Sequence, residues 1–140
     1  MIKIVKAKTN HIPSLSRLFK KLDREKWNTS DKKKVLADLP NAYVALNKNK
    51  VVGALVLRFN KHNSEIVKIV STQSGVGRKL IGFTIKKAKQ KKVSKIWCWS
   101  MARFNAHGFY QKMGFEEQFL HKKHFYNEDC WFFGKVLSKI

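Results

Sequence analysis

The 140-residue sequence predicts a single mixed α/β domain spanning residues 1–140, with about seven strands and about four helices. Three observations point there. Apolar residues recur with a period of about two in some segments and about 3.6 in others. The two patterns follow one another as β-α-α-β-β-β-α-β-α-β-β, the order of a mixed α/β fold. The composition, 44% hydrophobic and 12% aromatic, is that of a globular chain long enough to bury its own core.

The elements follow in order. Met1 to Thr9 alternates as a first strand. Asn10 is placed to cap a helix, and Pro13 falls in its first turn, where a missing N–H does no harm. Ile12, Leu15, Leu18, Phe19 and Leu22 carry helical spacing to about Lys26. Asp31 caps a shorter helix whose apolar residues are Val35, Leu36 and Leu39 and which Pro40 ends. AYVAL (42–46) and VVGALVLRF (51–59) form a hairpin about the NKNK turn, and KHNS (61–64) leads into the strand EIVKIV. After a Gly75-Val76-Gly77 turn, Leu80, Ile81, Thr84, Ile85 and Ala88 line one face of a third helix, surrounded by Arg78 and six lysines. KIWCWS (95–100) is a short strand. Residues 103–113 predict a fourth helix closed by Gly114. FEEQFLHKKHFY and DCWFFGKVL are two closing strands joined at Asn127-Glu128-Asp129.

Charge sets this chain apart. Thirty Lys and Arg against nine Asp and Glu give a net charge of +21. A field of that size draws anions: nucleic acid, anionic lipid or a phosphate-rich cofactor. The excess of lysine over arginine, with frequent Asn, Ile and Phe, is also the mark of AT-rich coding. The N-terminal MIKIVKAKTNH lacks the apolar run of a signal peptide, and no segment is long enough to span a membrane. Cys98 and Cys130 lie in strand-like runs without paired spacing, as buried, reduced thiols do. A cytoplasmic protein without a membrane partner is expected. The five histidines are scattered, and His121 and His124, three apart on a strand, should point to opposite faces. No metal site is expected. Cys98 and Ser100 have no His–carboxylate partner at recognisable spacing, which argues against covalent catalysis. Trp97 and Trp99 should pack on the opposite face of their strand.

The Gly-Val-Gly turn carries the chemistry. Gly75 and Gly77 permit unusual backbone angles and close approach to the main chain. The first N–H groups of the helix that follows lack internal acceptors and, with the helix dipole behind them, suit a phosphate. Arg78 adds positive charge. The GxxxxGK[ST] of a nucleoside triphosphate loop and the third glycine of a dinucleotide fingerprint are both missing. On spacing alone, phosphate binding and a plain strand-to-helix turn both remain open.

Downstream residues supply context. Thr72-Gln73-Ser74-Gly75-Val76-Gly77-Arg78 resembles the acetyl-CoA loop of the GNAT superfamily of N-acetyltransferases, usually [RQ]-x-x-G-x-[GA]. ARFNAHGFYQKMGF (102–115) resembles that family's second signature, N-x-x-A-x-x-F-Y-x-x-x-G-F, with Ala106, Phe109, Tyr110, Gly114 and Phe115 in register. Thr72 stands where Arg or Gln is usual, and Arg103 where Asn is usual, with Asn105 two places on.

The resemblance implies a mostly antiparallel mixed sheet whose central strands splay to admit the pantetheine arm of acetyl-CoA. It implies that main-chain N–H groups near Ile69 and Val70 meet the thioester carbonyl. Gln73, Ser74, Gly75, Val76, Gly77 and Arg78 would take the pyrophosphate, with Arg103 and Asn105 adding cofactor contacts. Tyr110 would protonate the leaving thiolate. Glu65 would relieve the acceptor amine of its proton, its plainer role being a charge at a strand edge. The acceptor is an unidentified amine. The basic segments HIPSLSRLFKKLDREKWNTSDKKK and HKKHFYNED favour one that carries negative charge, such as an acidic protein segment, a phosphorylated metabolite or aminoacyl-tRNA. A homodimer would be in keeping with the family. The alternative reading is a basic nucleic-acid-, ribosome- or tRNA-binding protein on the same fold with little turnover.

Overall fold

The computed structural model describes residues 1–23 and 28–137. Seven strands and four α-helices follow in the expected order: β1 (Ile2–Lys6), α1 (Ile12–Phe19), α2 (Lys32–Asp38), β2 (Ala42–Asn47), β3 (Lys50–Phe59), β4 (Asn63–Ser71), α3 (Val76–Gln90), β5 (Lys95–Met101), α4 (His107–Lys112), β6 (Glu117–Phe125) and β7 (Glu128–Val136). The strands form one mixed sheet in the order β1-β2-β3-β4-β5-β7-β6. By its contacts the chain divides into two compact units, residues 1–58 with 67–84 and residues 59–66 with 85–140.

In the first unit β1, β2 and β3 pair antiparallel. The β2–β3 turn is Lys48-Asn49, both with positive φ (51° and 67°), the geometry whose twist suits a two-residue hairpin. Ala45 pairs with Gly53 and Leu46 with Val51, so Val52 is the extra residue of a β-bulge. Leu15, Leu18 and Phe19 of α1 and Val35 of α2 bury against Val44, Ala54 and Val56 of the sheet. Lys68 is buried too, paired with Asp38 beneath the Phe19 ring at 4.9 Å. A buried ammonium needs such a partner. Its aliphatic stem is what the alternating burial of β4 demands at that position.

The α1 region departs from expectation. Asn10 sits in a 3-10 turn, Thr9–His11, and His11 precedes the helix, its Nδ1 accepting the Lys8 N–H at 3.0 Å. Pro13 lies in the first turn as expected. The helix stops at Phe19 and tightens into a 3-10 turn, Lys20–Leu22. Its expected extension to Lys26 ends within residues 24–27, outside the described residues. Asp31 precedes α2, but its carboxylate makes no cap bond. Leu36 is 55% exposed rather than buried, because Val35 alone of α2 is fully enclosed. Pro40 falls within a 3-10 turn, Leu39–Asn41, that follows α2.

In the second unit β5 pairs antiparallel with β7, from Lys95↔Val136 to Met101↔Cys130, and β7 with β6. The first residues of β4 run parallel to β5, with pairs Asn63↔Lys95, Ser64↔Ile96 and Glu65↔Trp97. Tyr126 and Asn127, both at positive φ, make the β6–β7 turn, one residue earlier than the sequence suggests. The predicted helix over 103–113 is two pieces. A 3-10 turn, Ala102–Phe104, is separated from α4 by Asn105 and Ala106, and Asn105 takes the left-handed conformation (φ 53°) that asparagine tolerates.

The histidine expectation also fails. The pairing register slips between His121 and Phe125, where Lys123 has φ 52° and its N–H bonds the Asp129 carboxylate. This bulge cancels strict alternation and brings the His121 and His124 rings to 5.4 Å. Cys98 and Cys130 are free and buried.

Candidate active site

Within the first unit, the expected cofactor residues from Ile69 to Arg78 form one continuous path along β4, a turn and the start of α3. Ile69 is half-buried and Val70 buried, while Thr72 to Gly75 are exposed. Gly75 has φ +85°, and a Cβ built there meets no heavy atom within 4 Å. Its carbonyl accepts the Lys79 N–H at 3.2 Å and so begins the helix. The Val76 N–H folds back on the Gln73 carbonyl at 3.3 Å. The N–H groups of Gly77 and Arg78, next in the first turn, have no acceptor inside the helix. No acidic residue occupies that turn, and the Arg78 side chain is exposed beside it. This donor set fits a pyrophosphate.

The loop's own side chains tie it to the sheet. Thr72 donates twice to the carbonyl of the bulged Val52, from its N–H at 2.9 Å and from its hydroxyl at 3.2 Å. Gln73 accepts the Asn47 side-chain N–H at 3.1 Å. Both side chains are spent holding the loop to the β2–β3 hairpin. Gly53, beside the bulge, lets α3 lie close to the sheet. A Cβ there would fall 2.7 Å from Val76 Cγ1 and 3.3 Å from Leu80 Cδ1. Neither anchor was visible from spacing, because each partner lies twenty or more positions away.

Tyr110 is buried in the second unit, 4% exposed. Its ring stacks on Phe133 at 4.6 Å and meets Phe115 edge-on at 5.1 Å. The end of α4 fixes this position. The Phe115 N–H bonds the Tyr110 carbonyl and the Gly114 N–H the Gln111 carbonyl, with Gly114 at φ +84°. That is a Schellman motif, and the Tyr110–Phe115 ring contact is its apolar clasp. The spacing Y-x-x-x-G-F is thus a helix stop built onto the tyrosine.

The Tyr110 hydroxyl is the hydrogen-bond partner of the Cys98 thiol on β5. Burial pushes the Cys98 thiol up to about 12, against a smaller lowering by Tyr110 and a further push from the Glu65 charge. Burial first, then Cys98, raises Tyr110 well above its ordinary value. Both groups hold their protons at neutral pH. Glu65, half-buried, pairs with Trp97, so register places it on the face of β5 opposite Cys98 and Tyr110. The two candidate proton-transfer groups therefore lie on opposite faces of the strands.

Arg103 and Asn105 have structural tasks within the second unit. Arg103 forms an ion pair with Glu128 at 3.1 Å and covers the Phe104 ring at 4.5 Å. Asn105 serves as the left-handed hinge before α4. Trp97 stacks on Phe132 at 5.7 Å and Trp99 tilts on Phe125 at 4.9 Å, on the face expected for them.

A seven-stranded mixed sheet with a glycine turn opening α3 and a buried tyrosine ending α4 defines a class of acyl-transfer fold. The profile of the acetyltransferase (GNAT) family matches residues 12–115, and the chain belongs to that family. Its fold is similar to that of Ard1 from Thermoplasma volcanium, with a TM-score of 0.84 at 15% identity over 99% of each chain. It is similar to the ribosomal-protein-S18-alanine N-acetyltransferase from Escherichia coli, with a TM-score of 0.80 at 15% identity, over 100% of this chain and 96% of that one. A GNAT acetyltransferase from Elizabethkingia anophelis with acetyl-CoA bound gives 0.77 at 22% identity, over 97% of this chain and 98% of that one. No curated protein sequence matches the chain.

Proposed function

We propose that this chain, acting as one acetyltransferase domain, transfers an acetyl group from acetyl-CoA to an amine by direct attack. The observation that carries the reading is the turn before α3: a left-handed Gly75, two N–H groups without a helical acceptor, and Arg78, with no acid in the first turn. Gly77 adds to it. Its backbone is helical, where glycine costs about 1 kcal/mol relative to alanine, so close approach of a ligand is the better reason for it.

The amine nitrogen bonds the acetyl carbon as the carbon–sulfur bond breaks. The N–H groups of Ile69 and Val70 would stabilise charge developing on the carbonyl oxygen. Tyr110 would give its proton to the departing thiolate, and its protonated state at neutral pH suits that role. An acceptor amine with a pKa of about 10 must lose a proton first. Glu65, on the opposite face, would take it from that side, directly or through water. Cys98 would orient the Tyr110 hydroxyl. It would not itself accept the acetyl group, since a thiol held protonated is a poor nucleophile. The net charge of +21 supports an acceptor that carries negative charge. The neighbours lend no support to a nucleic-acid binder without turnover.

Calorimetric titration with acetyl-CoA, with dephospho-CoA and ATP as controls, tests the reading. Binding by the wild type and its loss in Gly77→Ile is the expected result. No binding at low salt would overturn it.

A further inference from the structure

The bond between Asn47 and Gln73 has a direction. The Asn47 side-chain nitrogen donates and the Gln73 amide oxygen accepts, at 3.1 Å. Only half of the Gln73 amide is engaged by it. The two N–H donors of that amide have no partner among the described residues, and the residue is exposed. Its main chain belongs to the glycine turn itself, because the Gln73 carbonyl takes the Val76 N–H at 3.3 Å. Asn47 is half-buried at the last position of β2. Directly across the hairpin stands Lys50, a cross-strand neighbour on the same face. An ammonium there favours the Asn47 oxygen on its own side and leaves the nitrogen for Gln73.

Direction matters because a primary amide has two unlike ends. Its nitrogen donates to an anion, its oxygen repels one, and a free glutamine side chain turns between the two. Holding the oxygen leaves the nitrogen for a ligand. It also removes the rotamer freedom of a long side chain before the ligand arrives. We propose that Asn47 is a positioning residue for the cofactor: it turns the Gln73 amide so that an N–H, not the carbonyl, meets the pyrophosphate of acetyl-CoA. The proposal rests on the pyrophosphate reading of the turn. It adds to that reading a residue that touches no ligand and lies 26 positions upstream of Gln73.

Calorimetry of the full chain with acetyl-CoA tests it through paired substitutions. Gln73→Ala removes the donor and should weaken binding about tenfold, as loss of a hydrogen bond to a charged group does. Asn47→Ala frees the amide and should weaken binding about fivefold. In a Gln73→Ala background, Asn47→Ala should have no further effect, since nothing is left to orient. Asn47→Asp separates turning from tethering. A carboxylate only accepts, so it would take a Gln73 N–H and turn the amide oxygen outward. Relative to Asn47→Ala it should weaken binding further, and by more than it does in the Gln73→Ala background, where its charge alone acts. Thermal melts check that each variant is folded. If Asn47→Ala weakens binding equally with and without Gln73, Asn47 only braces the hairpin and the proposal fails. It fails too if Asn47→Asp binds as tightly as the wild type, because a tether of either sense then suffices. A wild type that binds no acetyl-CoA would overturn the pyrophosphate reading itself, and this proposal with it.

Discussion

Gly75 and Gly114 share nearly the same backbone, φ +85° and +84°, at opposite ends of two helices. Their surroundings differ. A Cβ on Gly75 would meet nothing within 4 Å, whereas one on Gly114 would lie 2.7 Å from Lys135 Nζ. Gly114 ends a helix and clasps Tyr110 from within; Gly75 begins one and leaves its donors facing outward. Nearly equal φ values thus serve close packing in one unit and an open turn in the other. Two glycines that look alike in sequence are told apart by what stands beside them.

The largest expected effect lies where Gly114 points. Tyr110→Phe keeps the ring packing and removes only the proton donor, so kcat for acetyl transfer should fall about a hundredfold with little change in the melting temperature. Gly75→Val should weaken acetyl-CoA binding at least tenfold by calorimetry, and Gly114→Val should leave that affinity near wild type. Stability should not separate them. Gly75→Ala and Gly114→Ala should each cost about 1 kcal/mol in urea titrations, the strain of a left-handed alanine. An affinity loss at both sites would break the comparison.

A smaller effect belongs to Cys98. Its folded thiol titrates near 12, against an ordinary value of 9.0. A raised acid contributes stability that is complete below pH 9 and is lost as pH rises from there toward 12. Wild type should therefore lose up to about 1.4 kcal/mol per pH unit more than Cys98→Ala across that window. Least affected is Thr72→Ala, which keeps one of two bonds to Val52 and should raise KM for acetyl-CoA by a few-fold.

Much of this was legible in the sequence. Periodicity located all seven strands, because both their alternation and their turn residues are local. The helix stop at Gly114 and the glycine turn were equally plain. What escaped has a common cause. The Val52 bulge, the slip at Lys123 and the Lys68–Asp38 pair depend on register against another segment, which no single run of residues encodes. His121 and His124 were assigned to opposite faces by strict alternation, and one positive φ between them undid it. The Arg103–Glu128 ion pair and the left-handed hinge at Asn105 likewise went unseen. The first α-helix was overextended because its apolar spacing continues past Phe19 while the backbone tightens.

The two bonds from Thr72 to Val52 have a consequence for how the chain tolerates change. They make the β2–β3 hairpin a gauge for the loop, since its bulge decides where one fixed oxygen stands and Asn47 holds Gln73 a few residues away. A residue inserted into the Lys48-Asn49 turn touches no ligand, yet it would move both hooks together. The length of a hairpin tip that, read alone, looks like the most dispensable stretch of the protein is thereby tied to where the loop stands.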